Sequence, residues 1–231
     1  MNFLNRVDAG RKLAQEFGAY AGRSDVVVLG IPRGGVPVAF QVAAQLAAPL
    51  DVFVVRKLGA PSQPELGFGA IAGGGVRIID SEIVESLGIS RQEIELIAAR
   101  ERLELNRRER VYRGGRARLD LKGKTVILVD DGVATGASTL AAITALRAFK
   151  PARIVLAAPV APASTYRRLR REVEDFICLY TPENFYAIGQ FYDDFLQVSD
   201  EEVTSLLRLN AERCAQEVVA SRSSDGKGAY S

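Results

Sequence analysis

The sequence predicts an α/β fold with a mostly parallel central sheet flanked by helices. Short β-branched runs alternate along the chain with helical patterns, which is the order of elements in a parallel sheet. Two of these runs, residues 26–29 and 126–129, are apolar at every position, as expected of strands buried on both faces. No internal repeat and no linker rich in Pro, Gly or Ser divides the chain, so a single domain over residues 1–220 is expected.

Each element follows from a local pattern. The strand candidates are β-branched runs bounded by turn residues, at 26–31, 52–56, 125–130, 153–160 and 176–180. The helix candidates carry apolar residues at helical spacing, at 4–22, 35–46, 91–112, 138–149, 163–171 and 200–220. Ser199 and Glu202 have the spacing of a capping box ahead of the last helix. Glycines 73–75 between two short apolar runs predict an antiparallel hairpin, and the polar residues 221–231 predict a disordered tail.

The chain of 231 residues contains no histidine, which excludes several kinds of site. Ser-His-Asp and Cys-His catalysis and His-ligated zinc all require imidazole. The two cysteines, Cys178 and Cys214, are too few for a thiolate zinc site. Catalysis must therefore use carboxylates, lysine, arginine, hydroxyls, backbone amides or a metal held by oxygen atoms.

The charge and hydropathy of the chain limit which compartment and which partners are expected. The longest apolar stretch, residues 35–50, is interrupted by Gln41 and Gln45, so no membrane span is expected. Two cysteines without a signal peptide favour a cytoplasmic protein. A formal net charge of +2 gives no global attraction to nucleic acid, which is not expected as a partner.

The strongest motif is the segment 126–139, an apolar strand that ends in Asp130 and Asp131 and continues through a loop of small residues into a helix. Exposed amides at residues 135–139 and the helix dipole would favour a phosphate, and Gly136 would allow close backbone approach. The two carboxylates could accept hydrogen bonds from a vicinal diol at the edge of the sheet where ligands bind in open α/β folds. The pattern therefore indicates a ribose phosphate site. The alternative is an ordinary strand, turn and helix; a Walker A loop is excluded because Ala137 stands where that loop has lysine.

At these residues the chain resembles the type I phosphoribosyltransferases, whose signature is four apolar residues, two acids, three variable positions and Thr-Gly-x-Ser/Thr-Thr. The resemblance implies the type I fold, with a small C-terminal hood at 181–198 and a helical insertion at 81–121. It also implies that Asp130 and Asp131 hold the ribose of phosphoribosyl pyrophosphate (PRPP). The 5′-phosphate would lie on the loop formed by Ala134, Thr135, Gly136, Ala137, Ser138 and Thr139.

Two further segments match the family at the expected places. Arg33, Gly34 and Gly35 follow the first strand, where the family binds pyrophosphate and often has a cis peptide, which is expected here at the bond entering Arg33. A tight turn with an exposed arginine is the alternative interpretation. Arg56 and Lys57 would also face pyrophosphate. Residues 59–69 are expected to form the mobile loop that closes over the reaction, with Glu65 as a further catalytic candidate beside Arg33 and Lys57.

The resemblance implies displacement of pyrophosphate from C1 of PRPP by a nitrogen nucleophile. Mg²⁺ would be the cofactor, brought largely by the substrate, with Asp130, Asp131 and Asp193 as the candidate metal contacts. Phe185 or Tyr186 would stack on the base and Asp193 would be the nearby acid, whereas aromatic core packing is the alternative. Two departures leave the base open: Ala134 replaces an aspartate, and acids at 172, 174 and 175 replace an expected lysine.

The motif does not explain the insertion at residues 81–121. Its second half is basic, and Glu101, Glu104 and Glu109 alternate with the arginines, so a solvated helix is the plainest interpretation. A subunit contact, as in a homodimer, and an anionic partner remain alternatives. The second function class is accordingly a PRPP-sensing regulator that binds nucleic acid through the arginines of the insertion, which are Arg100, Arg102, Arg107, Arg108, Arg110, Arg113, Arg116 and Arg118.

Overall fold

The computed structural model describes residues 2–61 and 63–225, and for residues 65 and 218–225 it describes the backbone alone. The strands are β1 (Val26–Gly30), β2 (Leu50–Val52), β3 (Val55–Ala60), β4 (Gln63–Ala72), β5 (Arg77–Ile79), β6 (Thr125–Val129), β7 (Arg153–Val160) and β8 (Asp175–Tyr180). The helices are α1 (Arg6–Ala14), α2 (Gly35–Leu46), α3 (Ser81–Ser86), α4 (Arg91–Arg113), α5 (Ala137–Arg147), α6 (Ala163–Leu169) and α7 (Asp200–Asp225). Two 3₁₀ segments, Gln15–Tyr20 and Ile188–Phe191, complete the elements.

The core is a five-stranded parallel sheet in the order β2-β1-β6-β7-β8, which confirms the predicted fold class. Side chains alternate between its two faces: Val26 and Val28 pack under α1 and α2, and Val27 and Leu29 pack under α5 and α6. Both faces are apolar, which explains the uninterrupted hydrophobic runs in the sequence.

The register of the sheet brings two loops together. Gly30, the last residue of β1, lies opposite Val129, the last residue of β6. The chain that follows each strand therefore leaves the same carboxyl edge side by side. The turn at 32–35 and the loop at 130–136 are neighbours for this reason.

The loop predicted at 59–69 is wrong in its secondary structure, because residues 59–60 and 63–69 belong to β3 and β4, which form the β3–β4 hairpin of a second, antiparallel sheet in the order β3-β4-β5. Its closure over the reaction stays a prediction. Glycines allow the strands to approach closely: a Cβ added at Gly59 would overlap the carbonyl oxygen of Pro64. The same residues read as chain breakers in the sequence. The predicted strand 52–56 also divides, since β2 ends at Val52 and β3 begins at Val55.

The other predicted hairpin is confirmed, with Ile71 paired to Arg77 in antiparallel strands. The first predicted helix divides into α1 and a 3₁₀ segment, and α7 continues five residues beyond its predicted end, to Asp225. The rest of the predicted tail, 226–231, lies outside the described residues. No described helix has the length and apolar character needed to cross a membrane.

The insertion is helical and its arginines are largely paired with acids of the chain itself. The α4 helix begins at a capping box in which Ser90 Oγ accepts from the amide of Glu93 at 3.2 Å. Glu104 pairs with Arg107 and Arg108, and two further arginines, 113 and 118, pair with the carboxylate at 109. This pairing fits the solvated-helix interpretation and gives the nucleic-acid alternative no support.

Candidate functional site

The two acids of the motif lie directly after β6 and pack against the glycine turn that follows β1. A Cβ added at Gly34 would overlap Asp131 Oδ2, and one added at Gly35 would lie 2.9 Å from the Cα of Asp130. At position 34, only a residue without a Cβ allows the Asp131 carboxylate to lie this close to the backbone. The peptide bond between Pro32 and Arg33 is cis, as expected from the resemblance.

Burial and mutual repulsion dominate the electrostatics of the acidic pair. Desolvation, followed by the charge of Asp131, raises the pKa of Asp130 well above its ordinary value. Desolvation also raises the pKa of Asp131, and the guanidinium of Arg6 acts in the opposite direction. The Asp130 carboxylate accepts one hydrogen bond, at 2.9 Å, from the amide of Asp131.

Arg6 is a member of the site that the sequence did not reveal. Its Nε donates to Asp131 Oδ2 at 2.7 Å, and its Nη1 donates to the carbonyl of Leu196 at 2.7 Å. Tyr192, also not singled out in the sequence, donates its hydroxyl to the carbonyl of Asp131 at 2.5 Å. Both residues lie 61 or more positions from Asp131 along the chain, so no local spacing could have indicated them.

The predicted phosphate loop forms an open turn into the first turn of α5. Gly136 is left-handed at φ 72°, and the helix begins at the next residue. Two side chains of α6 bind the backbone of the loop. Thr165 Oγ1 donates to the carbonyl of Ala134 at 2.8 Å, and Arg168 donates to the carbonyl of Thr135. The residues at 135, 137 and 138 are exposed, and the amides at the start of α5 have no partner four residues earlier in a helix. An anion can approach this loop.

The predicted pyrophosphate residues differ in their surroundings. The side chain of Arg33 is 36% exposed, and its Nη1 lies 3.9 Å from a carboxylate oxygen of Asp200. Arg56 is directed toward α4, where its Nη2 lies 2.6 Å from the Glu101 carboxylate. Lys57 lines a cleft of about 640 Å³ between the β3–β4 hairpin and α4, which also includes Ser138 of the phosphate loop. The backbone at 65 belongs to β4, and the side chain of the predicted catalytic Glu65 lies outside the described part.

The predicted base-binding residues lie in the hood but are only loosely associated. Phe185 packs on Phe191 with ring centroids 5.5 Å apart, whereas Tyr186 is 91% exposed. Asp193 is exposed and accepts from the side-chain amide of Asn2. The base contacts of these residues stay a prediction.

The acids at 172, 174 and 175 are not part of the site. Glu174 Oε2 accepts from the amide of Ile154 at the start of β7, and Asp175 is the first residue of β8. In a parallel sheet the starts of strands lie at the edge opposite Asp130. The interpretation that these acids replace a base-recognising lysine is therefore wrong, and they carry no information about the acceptor.

The residues present fit a magnesium ion that arrives with its substrate. Mg²⁺ is typically bound through one or two carboxylates, with waters and substrate phosphates completing its coordination. Asp130 and Asp131 offer those carboxylates, although Arg6 already holds one oxygen of Asp131. No group of three acids or cysteines suited to a metal occurs in the described part of the chain, so Asp193 does not complete such a group with the acidic pair.

Comparison with known proteins agrees with this geometry. The family model described as phosphoribosyl transferase domain matches residues 2–196. The chain belongs to the phosphoribosyl transferase family. Its fold is accordingly that of the type I phosphoribosyltransferases, as the motif predicted.

This phosphoribosyl transferase chain is 46% identical over 205 residues to proteins from two strains of Mycobacterium tuberculosis, both provisionally named phosphoribosyl transferase. The aligned region covers 89% of the chain and 46% of each relative, so the chain spans about half the length of the curated relatives it matches. The crystal structure of TT1426 from Thermus thermophilus is similar, with a TM-score of 0.81 and 41% identity, covering 90% of this chain and 98% of that one.

Proposed function

We propose that the chain transfers the 5-phosphoribosyl group from PRPP to a nitrogen base or other amine and releases pyrophosphate. The observation that carries this proposal is the packing of Gly34 and Gly35 against Asp130 and Asp131, beside the open turn at the start of α5. The two carboxylates proposed to bind the sugar and the two turns proposed to bind anions share one edge of the sheet. PRPP presents a diol, a monophosphate and a pyrophosphate in one molecule.

The reaction proceeds by breaking the bond between C1 and the pyrophosphate oxygen and forming a bond between C1 and nitrogen. Positive charge develops on the sugar and negative charge on the leaving group, which Arg33 and Lys57 would stabilise. The acidic pair would hold the ribose hydroxyls and place negative charge near the developing cation. A bound Mg²⁺ would neutralise part of the charge on the pyrophosphate. None of these roles requires histidine.

The acceptor is proposed only as a nitrogen compound with a proton to lose. That proton would pass to water or to a carboxylate, for which Glu65, Asp193 and Asp194 are the candidates. Ala134, at the loop position where hypoxanthine-type enzymes have an acid, contributes only its carbonyl, which is already bonded to Thr165.

The test is binding followed by turnover. Calorimetry should show PRPP binding that Asp130→Asn weakens, and pyrophosphate release should then be measured over a panel of bases and amines with and without Mg²⁺. Release that depends on one acceptor supports transfer. Tight PRPP binding without release for any acceptor refutes the transferase activity and leaves a binding protein.

A further inference from the structure

Arg6 connects three parts of the site that are far apart in sequence. It is the first residue of α1, it bonds to the carboxylate that follows β6, and it bonds to the backbone of the hood. We propose that Arg6 is a positioning residue that fixes the Asp131 carboxylate for the sugar and couples it to hood residues 191–196. This inference rests on the proposed function, because it assigns Asp131 to the ribose.

The contacts of Arg6 use two of its three guanidinium nitrogens and its planar face. Nε and Nη1 donate to different acceptors, Asp131 Oδ2 and the carbonyl of Leu196, each at 2.7 Å. The central carbon lies 3.9 Å from the ring centroid of Phe195, so the planar face is also used. A lysine could supply the charge and donate hydrogen bonds, but it has no planar group with separate nitrogens that could bond to both acceptors while stacking on a ring.

The contact leaves one oxygen of the carboxylate for a ligand. The side chains of Arg6 and Asp131 are only 12% and 11% exposed, so their bond is largely shielded from water. Oδ2 is enclosed by Arg6 and by the turn at Gly34. Oδ1 accepts no hydrogen bond from any residue that the structure describes, and it can therefore accept one from a sugar hydroxyl.

A second set of contacts connects the hood to Asp131. Phe3, which is fully buried, donates its amide to the carbonyl of Phe191 at 2.8 Å and accepts from the amide of Asp193 at 2.8 Å. Tyr192, between these two residues, donates its hydroxyl to the carbonyl of Asp131. The hood thus contacts Asp131 directly through the Tyr192 hydroxyl and indirectly through Arg6.

The experiment compares two ligands that share the phosphate but differ in the sugar. Calorimetry on the full chain should measure the affinity for ribose 5-phosphate and for inorganic phosphate in wild type, Arg6→Gln and Arg6→Lys. We expect Arg6→Gln to weaken ribose 5-phosphate binding by about tenfold or more, as loss of a charged hydrogen bond implies. Inorganic phosphate binding should stay unchanged because the loop at 134–139 is not altered. Arg6→Lys keeps the positive charge, so it should bind ribose 5-phosphate more tightly than Arg6→Gln but more weakly than wild type.

Two further variants separate positioning from general damage. Arg11→Gln changes an exposed arginine on the same helix and should leave both affinities unchanged. Phe195→Leu removes the ring beneath the guanidinium while keeping every charge, and should weaken ribose 5-phosphate binding selectively even if Arg6→Gln fails to fold.

The outcomes are distinguishable. If wild type does not bind ribose 5-phosphate, the proposed function is refuted together with this role of Arg6. If wild type binds it and the Arg6 and Phe195 variants change both affinities equally, or neither, only the positioning role is refuted. A selective loss of ribose 5-phosphate affinity supports it.

Discussion

Neighbouring isosteric substitutions in the acidic pair should stabilise the fold to different extents. Asp130→Asn removes a carboxylate whose charged form is disfavoured by desolvation and by Asp131, and the amide oxygen can still accept the backbone bond. Asp131→Asn removes a carboxylate whose pKa is also raised, but it also removes the ion pair with Arg6, whose side chain is 12% exposed, so its gain is smaller. Asp130→Asn should therefore unfold at a higher temperature than wild type and also at a higher temperature than Asp131→Asn.

The magnitudes follow from the burial of each group. Relief of a functional-site conflict typically contributes about 0.5–2 kcal/mol, and a chain of this size shifts its Tm by roughly 2–4 °C per kcal/mol. Asp130→Asn should thus raise Tm by about 2–4 °C for a gain near 1 kcal/mol. The guanidinium of Arg6 already offsets part of the desolvation cost at Asp131, so the Tm of Asp131→Asn should lie below that of Asp130→Asn.

The pH dependence checks the cause of the stabilisation. Because the pKa of Asp130 is raised on folding, the folded chain holds more protons than the unfolded chain above the ordinary value of 3.8, and stability falls as pH rises toward the raised pKa. The advantage of Asp130→Asn should therefore be greatest above that pKa and disappear toward pH 4. Calorimetric unfolding of both variants over this range is the measurement. A Tm of Asp131→Asn equal to or above that of Asp130→Asn at neutral pH, or an advantage of Asp130→Asn that does not depend on pH, would refute the reasoning.

The remaining predictions concern the turns and the insertion. Gly34→Ala should lower PRPP affinity by about tenfold or more, since its Cβ would overlap Asp131, whereas Gly18→Ala, with open space around it, should not; calorimetry decides. Arg33→Ala should weaken pyrophosphate binding more than ribose 5-phosphate binding, and equal losses would place Arg33 elsewhere. Ser90→Ala should lower the free energy of unfolding by about 1 kcal/mol by removing the cap of α4, which denaturant titration would measure.

The features predicted correctly from the sequence are those encoded locally. The strand before Asp130 is apolar throughout because both faces of the sheet are covered, and the turn into α5 is encoded in adjacent residues. The glycine turn at 34 and 35 could also be predicted, because it too is encoded in adjacent residues. The fold class, the parallel strands β1, β6, β7 and β8 and the acidic pair can therefore be predicted without coordinates.

The features missed depend on tertiary contacts. Arg6 and Asp131 are 125 positions apart along the chain. The residues around an arginine at the start of a helix do not indicate which distant side chain it will contact. Gly59 and Gly67 read as loop residues, yet in the β3–β4 hairpin they are paired with each other. Arg56 ends a predicted strand where a pyrophosphate contact was expected, but the sequence could not show that Glu101 on α4 would meet its guanidinium.

The charge that compensates the acidic pair comes from an arginine, in a chain that contains no histidine. Arginine keeps its proton in proteins, so compensation of Asp131 by Arg6 is constant with pH, unlike compensation by an imidazole. One arginine balances one of two desolvated carboxylates, and Asp130 has only a backbone amide as its bonded partner among the residues that the structure describes. The unbalanced carboxyl lowers the stability of the fold. It is also the group that a diol, a metal or a developing positive charge on the sugar would satisfy, which gives a physical reason for a fold to retain it.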